Sequence, residues 1–263
     1  TGCKAYDPKI LLKIILLGYA RGVNTSRKLE RACRKNLVFM ALSCGQRPDH
    51  STIAAFVSSL KEEIKPLFRD ILLACEEMKL LGGTEFSLDG CKLASNASKR
   101  WSGTFATLKA KKEKLERRVG HLLSEQVEAD KRAEKDEQEK AARAHFVAKL
   151  KKQAAKIEEF LEKNEPKPGK QRKEVQSNVT DNESAMMTTS HGTIQGYNGQ
   201  ALVDAKHQGI VSGEAFGSGQ DQYHLEPVLT EAQENMKAIG KDKDYFKNTI
   251  LTADMGYHSG EII

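Results

Sequence analysis

Two aspartates end short apolar segments of this 263-residue chain, and glycine-containing turns follow both. Asp89 lies in "FSLDGCKLASNAS" and Asp254 in "NTILTADMGYHSG". A carboxylate at the end of a buried strand is costly to desolvate unless its charge is compensated. Mg²⁺ compensates such charges, because it takes oxygen ligands from one or two carboxylates and from substrate phosphates. Two such ions support in-line displacement at phosphorus. The alternative is that each aspartate only forms a turn, and the two segments alone leave both interpretations open.

The segment before Asp89 has the sequence pattern of several helices. Residues 7–80 have helical periodicity, and the first helix opens with Asp7 as N-cap and Pro8 at its first position. Asn24 or Ser26 would cap the second helix, and Asp49 or Ser51 a later one. We therefore predict an all-helical N-terminal domain over residues 1–83.

A sheet is predicted to begin near Glu85, where the apolar spacing changes from 3.6 to 2, so residues 84–98 form the first strand and its hairpin. Residues 99–173 then form a basic helical insertion. Its two apolar stripes predict either one long helix or two helices folded into an antiparallel coiled-coil hairpin. Residues 174–263 return to sheet and supply two more strands, a helix and the strand that ends at Asp254. Asp204, within the hairpin of these two strands, is predicted to be exposed.

Charge is distributed unevenly along the chain. The total is +6, made up of +6 in residues 1–83, −1 in 84–98, +9 in 99–173 and −8 in 174–263. Basic segments joined to an acidic one indicate polyanion-binding surfaces beside a site that gathers carboxylates. The second helix could belong to a helix-turn-helix-like DNA reader, or its basic side could simply be solvated. Its candidate DNA-binding residues are Arg27, Lys28, Arg31 and Arg34.

Composition excludes several other classes of protein. The five cysteines are widely spaced with no CxxC, and the seven histidines include no HxH or HxxxH, so a disulfide framework or zinc site is not expected. No run of 18 apolar residues and no signal-peptide pattern is present. These features favour a reducing cytoplasm. The chain opens without Met, so its N-terminus could be missing.

Several segments together resemble a known family. They are "YDPKILLKIILLGYARGVNTSRKLERACRKNLVFMALSCGQRPDHSTIAAF", "FSLDGCKLASNASKRW", "TDNESAMM", "GYNGQALVD" and "LTADMGYHSGE". In this order they resemble bacterial insertion-sequence transposases of the DDE type, in the group with a helical N-terminal domain before a ribonuclease H-like catalytic domain. The resemblance covers nearly the whole chain. It implies an α+β protein whose incomplete ribonuclease H-like α/β domain carries a long helical, coiled-coil-like insertion between its first two strands.

The resemblance also implies the chemistry. Asp89 would be the first catalytic acid and Asp254 the second, each a ligand of Mg²⁺ or Mn²⁺. The family's third acid is a glutamate well downstream, and Glu261 comes too early to fill that position. We therefore expect a fragment that is cut between the second and third acids, binds DNA and does not cleave it. The implied partners are double-stranded DNA and a second copy of the chain, in the bacterial cytoplasm at the nucleoid.

Other polar residues near these motifs are candidates for supporting roles. We expect phosphate contacts from Lys92, Asn96, Lys99 and Arg100. The active-site edge could include Asp181, Glu183 and Asn198, although a turn or structural role would also explain each. Trp101 could stack on a base or support the insertion. Two other functions stay open, a non-catalytic DNA-binding or interaction remnant of a transposase and a ribonuclease H-like nuclease without a joining step.

Overall fold

The computed structural model describes residues 5–131, 137–169 and 173–258, and it divides into two compact units, Thr1–Met78 and Lys79–Ile263. Within these described ranges, no helix has the length and apolar character needed to cross a membrane. The chain is a mixed α and β protein, as predicted.

The first unit contains five helices, and its core forms among the first four. They are α1 (Pro8–Ala20), α2 (Ser26–Lys35), α3 (Leu37–Leu42), α4 (His50–Ser59) and α5 (Ile64–Glu77). Asp7 caps α1 as predicted and Asp49 caps α4, each accepting a backbone N–H at 2.7–2.8 Å. The cap of α2 is Thr25 rather than Asn24 or Ser26. The core side chains are Ile14, Ile15, Leu29, Cys33, Phe39 and Ile53.

The second unit opens with β1 (Glu85–Ala94), which the insertion follows. The insertion contains β2 (Ser102–Gly103), α6 (Phe105–Lys131), α7 (Glu137–Lys163) and β3 (Lys167–Pro168), and two short strands follow it, β4 (Glu174–Val175) and β5 (Ser177–Asn178). Leu108 packs with Ile157 at one end of the helix pair, and Val119 packs with Leu150 further along. This order makes α6 and α7 antiparallel, so of the two predicted alternatives the structure has the pair of helices. We call this pair the arm.

The remaining strands complete one mixed sheet with β1. They are β6 (Ala185–Thr189), β7 (Gly192–Asp204), β8 (Ile210–Phe216) and β9 (Ile250–Ala253), with α8 (Leu225–Ala238) between β8 and β9. β7 runs antiparallel to β1 on one side and to β6 and β8 on the other, whereas β9 runs parallel to β1. α8 buries Val228, Ala232 and Met236 and contacts β8 and β7. β8 and β9 run in the same direction, so the chain between them must cross back over the sheet, and it does so through α8.

The prediction that Asp204 is exposed is wrong. Its side chain is fully buried and accepts hydrogen bonds from the backbone N–H groups of Gly82, at 2.9 Å, and Gly83, at 2.8 Å. The cause is topological, because β7 ends beside the segment that enters β1, and the amides of that segment need an acceptor. Gly83 has φ +71, which a glycine adopts without strain.

Candidate active site

The pairing of β1 with β9 brings the two candidate aspartates to neighbouring positions, with Asp89 in the middle of β1 and Asp254 directly after β9. The parallel register pairs Leu88 with Ala253, and Asp89 and Asp254 each come one residue later. Because side chains alternate between the faces of a sheet, residues at matching positions of paired strands share a face. Asp254 keeps extended backbone angles, φ −73 and ψ 170, so it continues the direction of β9. Both carboxylates therefore lie on one face of the sheet.

Each carboxylate uses one oxygen locally. Oδ1 of Asp89 accepts the N–H of Gly90 at 2.7 Å, and Oδ1 of Asp254 accepts the N–H of Gly256 at 2.8 Å. Both aspartates are exposed. In the described ranges, no donor contacts Oδ2 of either residue. One oxygen of each carboxylate is thus left for a ligand from solution.

A buried polar network lies on the other face of the sheet, between β1, β7 and the segment before α8. Asp221 is at its centre. Oδ1 of Asp221 accepts hydrogen bonds from Asn198 Nδ2 at 2.7 Å, Gln200 Nε2 at 2.9 Å and Lys92 Nζ at 3.1 Å. Asn198 also lies 3.2 Å from Nδ1 of His224. The network thus joins the Lys92–Asp221 ion pair to the side-chain amides of Asn198 and Gln200 and, through Asn198, to the imidazole of His224.

The charge states in this network follow from burial and hydrogen bonding. Burial raises the pKa of Asp221, but the hydrogen bonds from Asn198, Lys92 and Gln200 outweigh it, so the net pKa is below the ordinary value. Burial lowers the pKa of His224, which Asp221 only partly offsets. His224 is therefore neutral near pH 7, and its ring stacks on Phe216 at a centroid distance of 4.1 Å. A neutral imidazole can accept the hydrogen bond from Asn198.

Tyr257 connects this network to the turn that Asp254 opens. Asp254 begins the 3₁₀ turn Met255–Tyr257, and the Tyr257 hydroxyl donates a hydrogen bond to Oε1 of Gln200. Burial raises the pKa of Tyr257 to about 12, and the negative charges of Asp221, Asp89 and Asp254 add to the effect. The phenol is consequently protonated and acts as a donor. The turn after Asp254 is tied to β7 by this bond.

The predicted phosphate contacts lie in different surroundings. Lys92 binds Asp221 and the carbonyl of Gly219. Lys99 donates to the carbonyl of Thr193, whereas Asn96 and Arg100 are exposed. Their contacts with DNA phosphate stay predictions. Lys92 would have to leave an ion pair to make one.

The predicted active-site edge is divided between two places. Asp181 accepts the Tyr197 hydroxyl at 2.7 Å and the N–H of Ser184 at 3.3 Å, which is a turn role. The following β6 joins β7 at Gly196, opposite Ala94 of β1. That position is roughly 17 Å along β1 from Asp89 at about 3.3 Å per residue. Glu183 is exposed in the same turn, so neither acid is brought next to Asp89. Asn198 is closer, but it is buried in the network.

The sequence analysis missed three members of this site. They are Tyr257, Asp221 and His224. Gln200 alternates with Asn198 and Leu202, which puts all three on one face of β7. Asp221 and His224 lie in a short irregular segment before α8, where no periodicity marks a buried residue.

The donor set at Asp89 and Asp254 fits a hard divalent cation. It consists of two carboxylates with exposed oxygens, which is the chemistry that Mg²⁺ and Mn²⁺ prefer, with water and phosphate in the remaining positions. In the described part of the chain, no group of three or more His, Cys, Asp or Glu side chains could hold a metal ion. A site built from these residues would therefore depend on its two aspartates and on ligands from outside.

The candidate DNA-binding residues of α2 lie opposite its buried side. Leu29 and Cys33 pack in the core, whereas Arg27, Lys28, Arg31 and Arg34 are exposed. Arg34 is paired with Glu30 at 2.7 Å, and Glu30 also contacts His50 at 2.9 Å. Three of the four cations thus have no acidic partner within the described ranges.

Comparison with known proteins gives one result. Residues 1–59 match a family model described as a transposase domain, DUF772. No curated protein and no solved structure matches the chain. The match covers the first four helices and stops before the sheet, so it carries no information on Asp89 or Asp254. The similarity to a transposase domain is thus a property of the first four helices.

Proposed function

We propose a function in DNA transposition, as a transposase of the DDE type whose metal-dependent phosphoryl transfer uses Asp89 and Asp254 as two of its three acids. Because the third acid is not among the described residues, we do not expect this chain to cleave DNA by itself. The observation that carries the proposal is the parallel pairing of β1 with β9, which sets Asp89 of β1 beside Asp254, the residue after β9, on the same face of the sheet. The transposase-domain match at residues 1–59 supports the same function independently.

The order of the strands also supports the proposal. β6 and β8 pair with one side of β7 and β1 with the other, and β9, which follows α8, pairs parallel to β1. Antiparallel strands followed by a helix and a parallel strand are compatible with the ribonuclease H-like domain that the sequence resemblance implies. The arm leaves the sheet directly after β1, where the resemblance implies an insertion.

In this function the side chains have separate roles. Asp89 and Asp254 would hold Mg²⁺ or Mn²⁺ through their Oδ2 atoms, while their Oδ1 atoms stay bound to backbone N–H groups. The bound metal would supply Lewis-acid activation of the attacking hydroxyl and stabilise charge on the phosphate. Tyr257 and Gln200 would keep the Asp254 turn in place. The exposed cations of α2 would bind the DNA backbone, whose phosphates dominate affinity.

The second candidate is a non-catalytic DNA-binding protein that descends from a transposase. It is favoured by the count of acids, because the described residues offer two carboxylates at the site and no three-residue metal group. In this case α2 and the arm would bind duplex DNA, and Asp89 and Asp254 would only form turns.

Binding of Mn²⁺ by the full chain distinguishes the two candidates. The free Mn²⁺ signal in electron paramagnetic resonance should fall on addition of protein, and Asp89→Asn or Asp254→Asn should abolish that fall. Asp244→Asn, which removes an exposed acid elsewhere in the second unit, is the matched control and should bind as the parent does. Equal Mn²⁺ binding by all four proteins, together with metal-independent DNA binding, would support the second candidate and contradict the first.

Two further features belong to the proposal. An enzyme that joins both ends of a mobile element has to hold two DNA ends, so we expect a homodimer in the active assembly. Its substrate in a bacterium is chromosomal DNA, so we expect it in the cytoplasm at the nucleoid.

A further inference from the structure

Cationic side chains surround the ring of Trp101 where the arm leaves the sheet. The Nζ atom of Lys111 lies 5.2 Å from the ring centroid, and that of Lys156 lies 5.5 Å from it. Lys111 also donates a hydrogen bond to the carbonyl oxygen of Arg100, whose side chain is exposed. We call Arg100, Lys111 and Lys156 the cationic cluster. It draws on three elements, namely the turn after β1, α6 and α7.

Some cations of the arm are paired with acids, and those of the cluster are not. Lys112 is paired with Glu158, Lys163 with Glu159 at 2.7 Å and Arg143 with Glu139 at 3.2 Å. Among the described residues, no carboxylate forms an ion pair with Arg100, Lys111 or Lys156, although the charge of Lys156 helps to lower the pKa of Glu159. Burial lowers the pKa of Lys111, and repulsion by the positive charge of Arg100 lowers it further. An anion from outside would relieve this repulsion.

The base of the cluster is rigid. Trp101 packs against the buried side chains of Leu108, Ile157 and Phe160. Its carbonyl accepts the N–H of Val179 at 3.0 Å. The ammonium groups are therefore held over an aromatic ring with a fixed position, at cation–π distance. A preorganised group of donors loses less entropy on binding an anion than mobile surface lysines do.

We propose that the cationic cluster binds a backbone phosphate of duplex DNA, so that the root of the arm is a DNA contact additional to α2. The inference rests on the proposed function in taking DNA as the polyanion. Lysine and arginine supply only donors, and phosphate oxygens supply only acceptors. The whole insertion, residues 99–173, carries a net charge of +9, which favours a long polyanion over a single small anion.

The position of the cluster relative to Asp89 suits the same duplex. β1 carries Asp89 and continues for five residues to Ala94, about 17 Å at 3.3 Å per residue, before the chain turns into the arm. Phosphates on one strand of B-DNA repeat about every 3.4 Å along the axis. A duplex that crosses Asp89 and follows β1 would reach the root of the arm within about one helical turn.

The test uses the full chain and two triple variants with equal changes of charge. Arg100→Gln, Lys111→Gln and Lys156→Gln together remove the cluster. Arg143→Gln, Lys112→Gln and Lys163→Gln remove one arginine and two lysines whose charges are already paired on the same arm. Duplex affinity is measured between 50 and 200 mM salt. Each phosphate contact contributes about 0.9 to the slope of log K against log salt concentration. We expect the slope to fall by about 1 in the cluster variant, which would lose one phosphate contact, and to stay unchanged in the control.

Trp101 provides a second measurement that needs no variant, because it is the only tryptophan of the chain. Iodide is an anion, so the cationic cluster should make it quench Trp101 more strongly than the neutral quencher acrylamide does. Saturating duplex DNA should remove this difference between the two quenchers. The inference is overturned if DNA binds with the same salt slope in both triple variants, or if bound DNA leaves iodide quenching unchanged. Either result leaves the proposed function standing. Protection by poly-glutamate but not by duplex DNA would also overturn it. Failure of the parent chain to bind DNA would overturn both.

Discussion

Tyr257 donates a hydrogen bond from its phenolic oxygen to Oε1 of Gln200, and this bond fixes the turn that Asp254 opens against β7. Gln200 in turn contacts Asn198 at 2.9 Å and Asp221 at 2.9 Å. Asp254 itself is exposed, so its position depends on the buried tyrosine three residues later. The candidate site thus has an exposed pair of carboxylates supported by a buried network.

Replacement of Tyr257 by Phe should weaken metal binding without unfolding the protein. The ring would still fill its place, but the bond to Gln200 would be lost, at a cost of about 1 kcal/mol of stability. Because the Asp254 turn would be held less firmly, we expect the affinity for Mn²⁺ to fall severalfold. Tyr19→Phe, which changes an exposed tyrosine of α1, is the control. Equal affinity in both variants would show that Tyr257 does not position Asp254.

Two tyrosines should make the protein sensitive to alkaline pH. Burial raises the pKa of both Tyr197 and Tyr257 to about 12, against about 10 in an unfolded chain. The folded state therefore favours the protonated phenol, and this contribution is complete below pH 10 and is lost as the pH rises from 10 to 12. Between pH 10 and 12, the free energy of unfolding measured with denaturant should fall less in Tyr257→Phe and in Tyr197→Phe than in the parent protein. The same loss in the parent and both variants would contradict the assignment.

Asp204 should be one of the more important carboxylates for the stability of the second unit. Asp204→Asn would replace a charged acceptor of three backbone N–H groups, those of Gly82, Gly83 and Lys206, in a fully buried position. We expect a loss of about 2 kcal/mol, since bonds to charged groups are worth about 1.5–3 kcal/mol each and the amide oxygen keeps part of them. Urea denaturation measures the change, with Asp244→Asn as a neutral surface control. A difference below about 0.5 kcal/mol would be inconsistent with this role.

The basic side of α2 should contribute to DNA affinity. Replacing Arg27, Lys28, Arg31 and Arg34 by Ala is expected to weaken duplex binding and to lower the salt slope by about 3, because Arg34 is already paired with Glu30. The control is Ala at Lys9, Lys13 and Arg21, which are exposed on or next to α1. If only the control variant loses affinity, the DNA surface of the first unit lies on α1 instead.

Local signals predicted most of the elements. Asp7 and Pro8 begin α1, and the change from helical to alternating spacing marks the start of β1. Both signals depend on residues adjacent in sequence, so they can be recognised without tertiary structure. The pairing of Asp89 with Asp254 came from the resemblance and from the general preference for carboxylates at strand ends. The register that aligns them is visible only in the sheet.

No comparable local signal marks the contacts of two other aspartates. Asp204 ends β7 and Asp221 lies in an irregular segment before α8, and a charged residue in a hairpin or loop is most often exposed. Their burial depends on partners more than a hundred residues away, the amides of Gly82 and Gly83 for Asp204 and the ammonium of Lys92 for Asp221. Such partners cannot be identified before the topology is known.

Directed backbone cleavage can show whether Asp89 and Asp254 hold one metal ion together. Fe²⁺ replaces Mg²⁺ at carboxylate sites, and with ascorbate and peroxide it releases hydroxyl radicals that cut the nearby polypeptide. We expect two cuts in the same preparation, near residues 89 and 254, both suppressed by excess Mg²⁺ and both lost in Asp89→Asn and in Asp254→Asn. Cuts at only one of these positions, or cuts at both that persist in either variant, would contradict a shared metal site.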